Sequence, residues 1–182
     1  MLQIVAILAM ILALMKTVFW GRERLPAERF SWGMKAVFAL YLLGNAYCTL
    51  FSRVPGSGTT LELRPFMSIV RIFVSVEYES VAGDATGLFA WFMSGASQGA
   101  GIILNILLYY PLGYLLSGIL PSAKARSLIL TGFFCSVATE LLQYLLAMGW
   151  CETDDVICNT LGAALGVWAW SRQFGRKQEP SA

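Results

Sequence analysis

Leu2 to Phe19 is an almost unbroken apolar run, interrupted only by Gln3 and Lys16 near its ends, and similar runs recur along the chain. A helix of about 20 such residues, rising about 1.5 Å per residue, matches the roughly 30 Å hydrocarbon core of a bilayer. Charge agrees: only 13% of the 182 residues are charged and 57% are hydrophobic, whereas soluble domains carry about 25% charged residues. The expected fold is all-α, a polytopic transmembrane bundle of about five helices with an interfacial helix on its outer side.

The runs place spans at about 2–20, 32–51, 102–120, 127–148 and 156–170, with an outer segment over 52–101, all within one domain covering 1–182. The basic flank of the first run (Lys16, Arg22, Arg24) lies on its C-terminal side, the reverse of a cleaved signal peptide. It therefore reads as a retained helix. With the N-terminus outside, Lys16, Arg22, Arg24, Arg29, Lys35, Lys124, Arg126, Arg172, Arg176 and Lys177 are cytoplasmic, and only Arg53, Arg64 and Arg71 face outward. Short cytoplasmic loops collect Lys and Arg, so this imbalance sets the topology, with the C-terminus inside. Glu62, Glu77, Glu79, Asp84, Glu152, Asp154 and Asp155 then fall on the outer side.

The outer segment is too apolar for a plain loop. Phe66, Ile69, Val70 and Phe73 recur at helical spacing opposite Ser68, Arg71 and Ser75, the pattern of a helix lying in the interface. Phe89, Trp91 and Phe92 suit a second shallow segment at headgroup depth. Both could equally be a cap packed over the bundle.

The chain has no histidine, which removes His-activated nucleophiles, His-ligated zinc and histidine proton switching. Cys48, Cys135, Cys151 and Cys158 show neither metal spacing nor a disulfide framework, and Cys48 and Cys151 both fall near the outer surface.

Polar residues inside the spans carry the functional signal. A carboxylate such as Glu140 near the middle of a membrane helix costs about 2.5 to 3.5 kcal/mol on insertion scales, so it faces the bundle interior and a partner. Gln143 shares its face. With a fourth span ending near Met148, Glu140 lies about 10 to 12 Å below the outer surface, Asn105 roughly 5 to 9 Å down, and Asn159 about one turn past Asp155. Three helices thus offer polar groups in one layer. Facing one another, Glu140, Gln143, Asn105 and Asn159 would line an outward-open pocket with Glu152, Asp154 and Asp155 at its mouth. Plainer roles compete: Asp154 or Asp155 as N-cap of the fifth span, and Asn105 and Asn159 as interhelical hydrogen-bond glue. Gly162 and Gly166 form a GxxxG spacing that reads as close helix packing. Pro111 should kink the third span, because its ring removes a hydrogen bond and clashes with the Leu107 carbonyl.

Asn105 through Gly113, Glu140 with Gln143, and Asp154 through Gly162 give N-x5-P-x-G, E-x2-Q and D-D-x3-N-x2-G in order. This resembles the VanZ-like family over about 104–166, and Arg53 resembles the Arg that closes the family's preceding span. An Arg that the family often carries just before the aspartates is absent: Met148, Gly149 and Trp150 stand there. The resemblance implies a bacterial cell-envelope protein of the cytoplasmic membrane, and links it to low-level teicoplanin resistance.

Three functions follow as expectations. In the first, the pocket binds membrane lipids, a lipid-linked cell-wall precursor or a lipophilic antibiotic, with Arg53, Asn105, Gln143, Glu152 and Asn159 as contacts and no nucleic-acid partner. In the second, an intramembrane enzyme uses Glu140 as general base, or Asp154 and Asp155 as oxygen ligands of a divalent cation such as magnesium. Cation or proton transport through Glu140 is the third, though no internal repeat accompanies it.

Overall fold

The computed structural model describes residues 2–51, 53–71 and 85–175, with side chains given outside 2–3 and 85–98. The order is α1 (Leu2–Arg24), α2 (Ala27–Ala46), a π-helical segment (Tyr47–Phe51), β1 (Gly58–Glu62), a helical turn at 67–71, α3 (Ala85–Ile119), α4 (Ala125–Leu145), β2 (Met148–Glu152) and α5 (Thr153–Phe174). Proline sets two of the boundaries. A residue before proline is pushed out of the helical region, and α1 and α3 both stop just ahead of Leu25–Pro26 and Leu120–Pro121. Pro26 then opens α2, with φ −54° and ψ 144°, so this helix starts five residues before the expected span.

Among the described residues, four helical stretches are long and apolar enough to cross a membrane: Ile4–Arg24, Ala27–Phe51, Gly99–Ile119 and Ala125–Leu145. α5 is the fifth long helix of the bundle. Asp154, Asp155 and Arg172 dilute its hydropathy, yet Ile157, Leu161, Leu165 and Trp168 form an exposed apolar stripe along it. Its other face is buried: Gly162, Ala163, Gly166 and Val167 pack inside. A Cβ at Gly113 would run into the Ala163 carbonyl, one at Gly162 into the Ile106 carbonyl, and one at Gly166 into the Tyr110 carbonyl. The GxxxG spacing is therefore the α3–α5 interface, as small-residue motifs are in membrane bundles.

Two buried clusters fix the ends relative to one another. Val18, Met34, Tyr114, Leu115, Ala169 and Trp170 join the C-terminal halves of α1, α3 and α5 to the N-terminal half of α2. Tyr109, Leu112, Leu116, Leu128, Ala163 and Val167 join α3, α4 and α5. Arg22, Arg24, Arg29, Lys35, Lys124, Arg126 and Arg172 thus gather at one end of the bundle. Several lie over aromatic rings there, Arg22 at 4.5 Å from the Phe174 ring and Arg172 at 5.3 Å from Trp168. The opposite end carries Arg53, the two strands and the start of α5.

Two expectations change. The third span is part of a 35-residue helix, about 52 Å long, because nothing between Ala85 and Ser94 introduces a charge or proline and the glycines that follow weaken a helix without ending it. Phe89, Trp91 and Phe92 belong to its backbone rather than to a separate shallow segment. Pro111 stands inside this helix, and at that turn the Tyr41 hydroxyl donates to the Leu108 carbonyl at 2.9 Å. Finally, β1 and β2 form a parallel pair in register from Gly58 opposite Met148 to Glu62 opposite Glu152. Phe73, Ser75, Glu77, Glu79 and Asp84 lie outside the described residues.

Candidate functional site

The site is built around the junction of β2 and α5. Glu152 stands at the N-cap of α5 in extended conformation without a side-chain cap, and Asp154 and Asp155 follow in the first turn. Neither aspartate is a side-chain N-cap of α5. Asp154, only 6% exposed, instead accepts from the backbone N–H of Phe66 at 2.5 Å and of Ser68 at 2.6 Å. Its charge sits where the turn at 67–71 presents free N–H groups and the positive end of a helix dipole. Phe66 has φ +63°, a conformation uncommon for a bulky residue, and the Asp154 bond holds it there.

The same turn supplies a cation. Arg71 meets Glu152 at 2.5 Å and Glu62 at 3.7 Å, and its guanidinium lies 4.6 Å from the Trp150 ring. Arg64 binds Glu62 at 2.8 Å. Hydrogen bonds from Arg64 hold the Glu62 carboxyl down at about 2, so it stays ionised. Glu62 and Glu152 thus obtain arginine partners from 64–71, not from the position before the aspartates. Ser68 and Arg71 turn toward this network while Phe66, Ile69 and Val70 are exposed, the two-sidedness expected of an interfacial helix.

A cavity of about 360 Å³ opens beside it, lined by Arg53, Ser68, Gly101, Ile102, Asn105, Glu152, Asp154, Asp155 and Cys158. Asn105 donates from Nδ2 to Asp155 at 2.6 Å, and Arg53 donates from Nη1 to the Met148 carbonyl at 3.3 Å. Asp154 has both oxygens on backbone amides and Glu152 is paired with Arg71. The other oxygen of Asp155 and the rest of the Arg53 guanidinium make no further hydrogen bond among the described residues. Arg53 lies within electrostatic reach of Asp155 and Glu140, and its guanidinium and the Asp155 carboxylate keep hydrogen-bonding capacity on the cavity side.

Glu140, Gln143 and Asn159 are not in that lining. Glu140 is 5% exposed and accepts from the Glu152 backbone N–H at 3.1 Å, which pins the end of β2. Gln143 donates from Nε2 to the Thr49 carbonyl at 2.9 Å and so anchors the π-helical segment just before Arg53. Asn159 donates to Ser136 Oγ at 2.8 Å and ties α5 to α4. The side-chain oxygens of Gln143 and Asn159 are buried without a partner among the described residues. Because α4 ends at Leu145, Glu140 lies five residues from its end, about 7.5 Å deep, shallower than expected.

Sequence reasoning missed Ser68 and Cys158 as lining residues. Ser68 sat on the polar side of the 66–73 pattern, and Cys158 falls one turn after Asp154 on the same helical face, so both had a detectable signal. Cys151 is a thiol and is not joined to Cys48 by a disulfide; burial first, and the Glu140 charge after it, push it up. Among the described residues, no group of three or more Cys, Asp or Glu side chains is arranged to hold a metal ion.

A bundle of long apolar helices with a charged cavity at one end defines the class: a multi-pass membrane protein with a polar cavity at one end of its bundle. The family described as VanZ/LLP1 matches residues 38–174, and the chain belongs to that family. No curated protein and no solved structure matches it.

Proposed function

We propose that this VanZ-family protein sits in the bacterial cytoplasmic membrane with its N-terminus outside. Its cavity takes the polar part of an envelope lipid, a lipid-linked cell-wall precursor or a lipophilic antibiotic such as teicoplanin. The observation that carries this reading is the cavity, in which Arg53 and Asp155 keep hydrogen-bonding capacity that no other described residue takes up. The exposed Phe66, Ile69 and Val70 beside it would meet acyl chains.

Binding is favoured over catalysis on geometry. A general base must reach the proton it removes within about 2.6 to 3.2 Å, directly or through one water, and the Glu140 carboxylate is engaged behind the cavity with the Glu152 N–H. A divalent cation on Asp154 and Asp155 would have to draw Asp154 from the two amides it accepts.

The test is susceptibility of cells to teicoplanin. Cells producing the wild-type chain should tolerate more drug than cells with an empty vector, and Asp155→Asn or Arg53→Gln at equal membrane abundance should remove that margin. Undiminished tolerance in both variants would overturn the reading.

A further inference from the structure

A second cavity has the opposite chemistry. A lateral groove of about 430 Å³ lies between α1, α2 and α3, with a lining that is almost wholly apolar and includes Ile7, Met10, Leu40, Leu108 and Leu115. Met10 and Leu40, each 69% exposed, stand on its open side while Ile11 is buried at its floor. From Leu107 to Leu115 it runs along α3 for about 12 Å.

The groove and the charged cavity follow one another along the same elements. On α3, Asn105 lines the cavity and Leu108, one turn deeper, lines the groove. On the other side, Cys48 lines the groove and Arg53, five residues on, lines the cavity. Asn45 in the groove wall is 9% exposed, and its side-chain oxygen has no partner among the described residues. It lies toward the cavity end of α2, so a polar side chain stands where the polar and apolar parts of a guest would join.

Charge selects the guest. A purely anionic head would face Asp155, Glu152 and Asp154 with Arg53 alone among the described lining residues to receive it, and a purely cationic head would leave Arg53 opposed. A head carrying both signs matches the opposed charges of Arg53 and Asp155 and takes up their remaining hydrogen-bonding capacity, since phosphate suits a guanidinium and an ammonium suits a carboxylate. We propose that the cavity and the groove are the head and chain subsites of one amine-bearing phospholipid, its phosphate on Arg53, its ammonium on Asp155 and one acyl chain between α1, α2 and α3. This rests on the reading of the cavity as a binding site and names the class of its ligand.

The test uses the purified full chain in detergent, titrated with dioleoylphosphatidylethanolamine and with dioleoylphosphatidylglycerol, which has the same chains and no amine, and read by native mass spectrometry. Gly44→Trp fills the groove from a position where a Cβ meets nothing within 4 Å. The amine lipid should bind about tenfold more tightly than the glycerol lipid, and Asp155→Asn should abolish that preference. Gly44→Trp should weaken both lipids about tenfold and leave the preference intact. If thermal melting shows Gly44→Trp to be misfolded, Met10→Trp at the rim replaces it. Unchanged lipid affinity in a folded groove variant overturns the chain subsite and leaves the cavity reading standing. Absence of a preference in the wild type, or its survival in Asp155→Asn, overturns the head assignment. A dimer mass with no bound lipid shows the groove covered by a second copy and overturns the proposal as well.

Discussion

Asp154 shows how a single side chain can belong to one helix and organise another. Its carboxylate opens α5 but spends both oxygens on the amides of Phe66 and Ser68. Hydrogen bonds to a charged group contribute about 1.5 to 3 kcal/mol each. Asp154→Asn keeps the size, loses the charge and turns an NH2 toward an N–H donor, so the turn at 67–71 should open far more often while the α3–α5 interface stays closed. Hydrogen–deuterium exchange followed by mass spectrometry would show faster exchange over 66–71 and unchanged exchange over 106–116; equal rates in the turn would refute the clamp. The sequence announced Asp154 as a site residue, since acidic residues at a span boundary stand out. It could not announce the partner, because the bond joins positions 88 residues apart. Glu140 is the converse case. A carboxylate in a membrane helix must find a donor, which is legible, but helical rotation decides whether that donor is a ligand or the backbone of Glu152, and depth along the helix does not encode rotation.

At the scale of elements, the helices were legible because apolar runs of membrane length have few alternatives, and the α3–α5 contact because paired glycines on one face permit close approach. The β1–β2 pair was not. Five-residue strands joined across 90 positions leave no periodicity for a local reading, and the unbroken course of α3 through 85–101 turned on the absence of a breaker. The glycine argument can be checked directly. Gly166→Ala places a Cβ against the Tyr110 carbonyl, so α3 and α5 must separate, at an expected cost of about 1 to 3 kcal/mol. Gly33→Ala adds a Cβ with nothing within 4 Å and, in a helix interior, should stabilise by about 0.5 to 1 kcal/mol. Thermal melting in detergent should fall for the first and hold or rise for the second. Equal behaviour would mean that the interface tolerates a wider spacing than its carbonyl contacts indicate.

For the molecule as a whole, orientation decides which leaflet can deliver a ligand. Arg22, Arg24, Arg29, Lys35, Lys124, Arg126 and Arg172 gather at one end of the bundle, whereas Arg53, Arg64 and Arg71 stand at the other among Glu62, Glu152, Asp154 and Asp155. Positive residues in short loops remain on the cytoplasmic side during insertion, and acidic residues contribute little to that choice. Arg53, Arg64 and Arg71 nevertheless tolerate the far side, and two of them are neutralised locally, Arg64 by Glu62 and Arg71 by Glu152. The cavity should therefore face outward. In a chain whose four cysteines are replaced by alanine, Ser57→Cys reports the cavity end and Ser122→Cys the basic end, both at exposed positions. A membrane-impermeant maleimide should label Ser57→Cys in intact cells and Ser122→Cys only after permeabilisation. The reverse pattern would turn the cavity toward the cytoplasm, so that its ligand would have to come from the inner leaflet and an antibiotic acting outside the cell could not reach it.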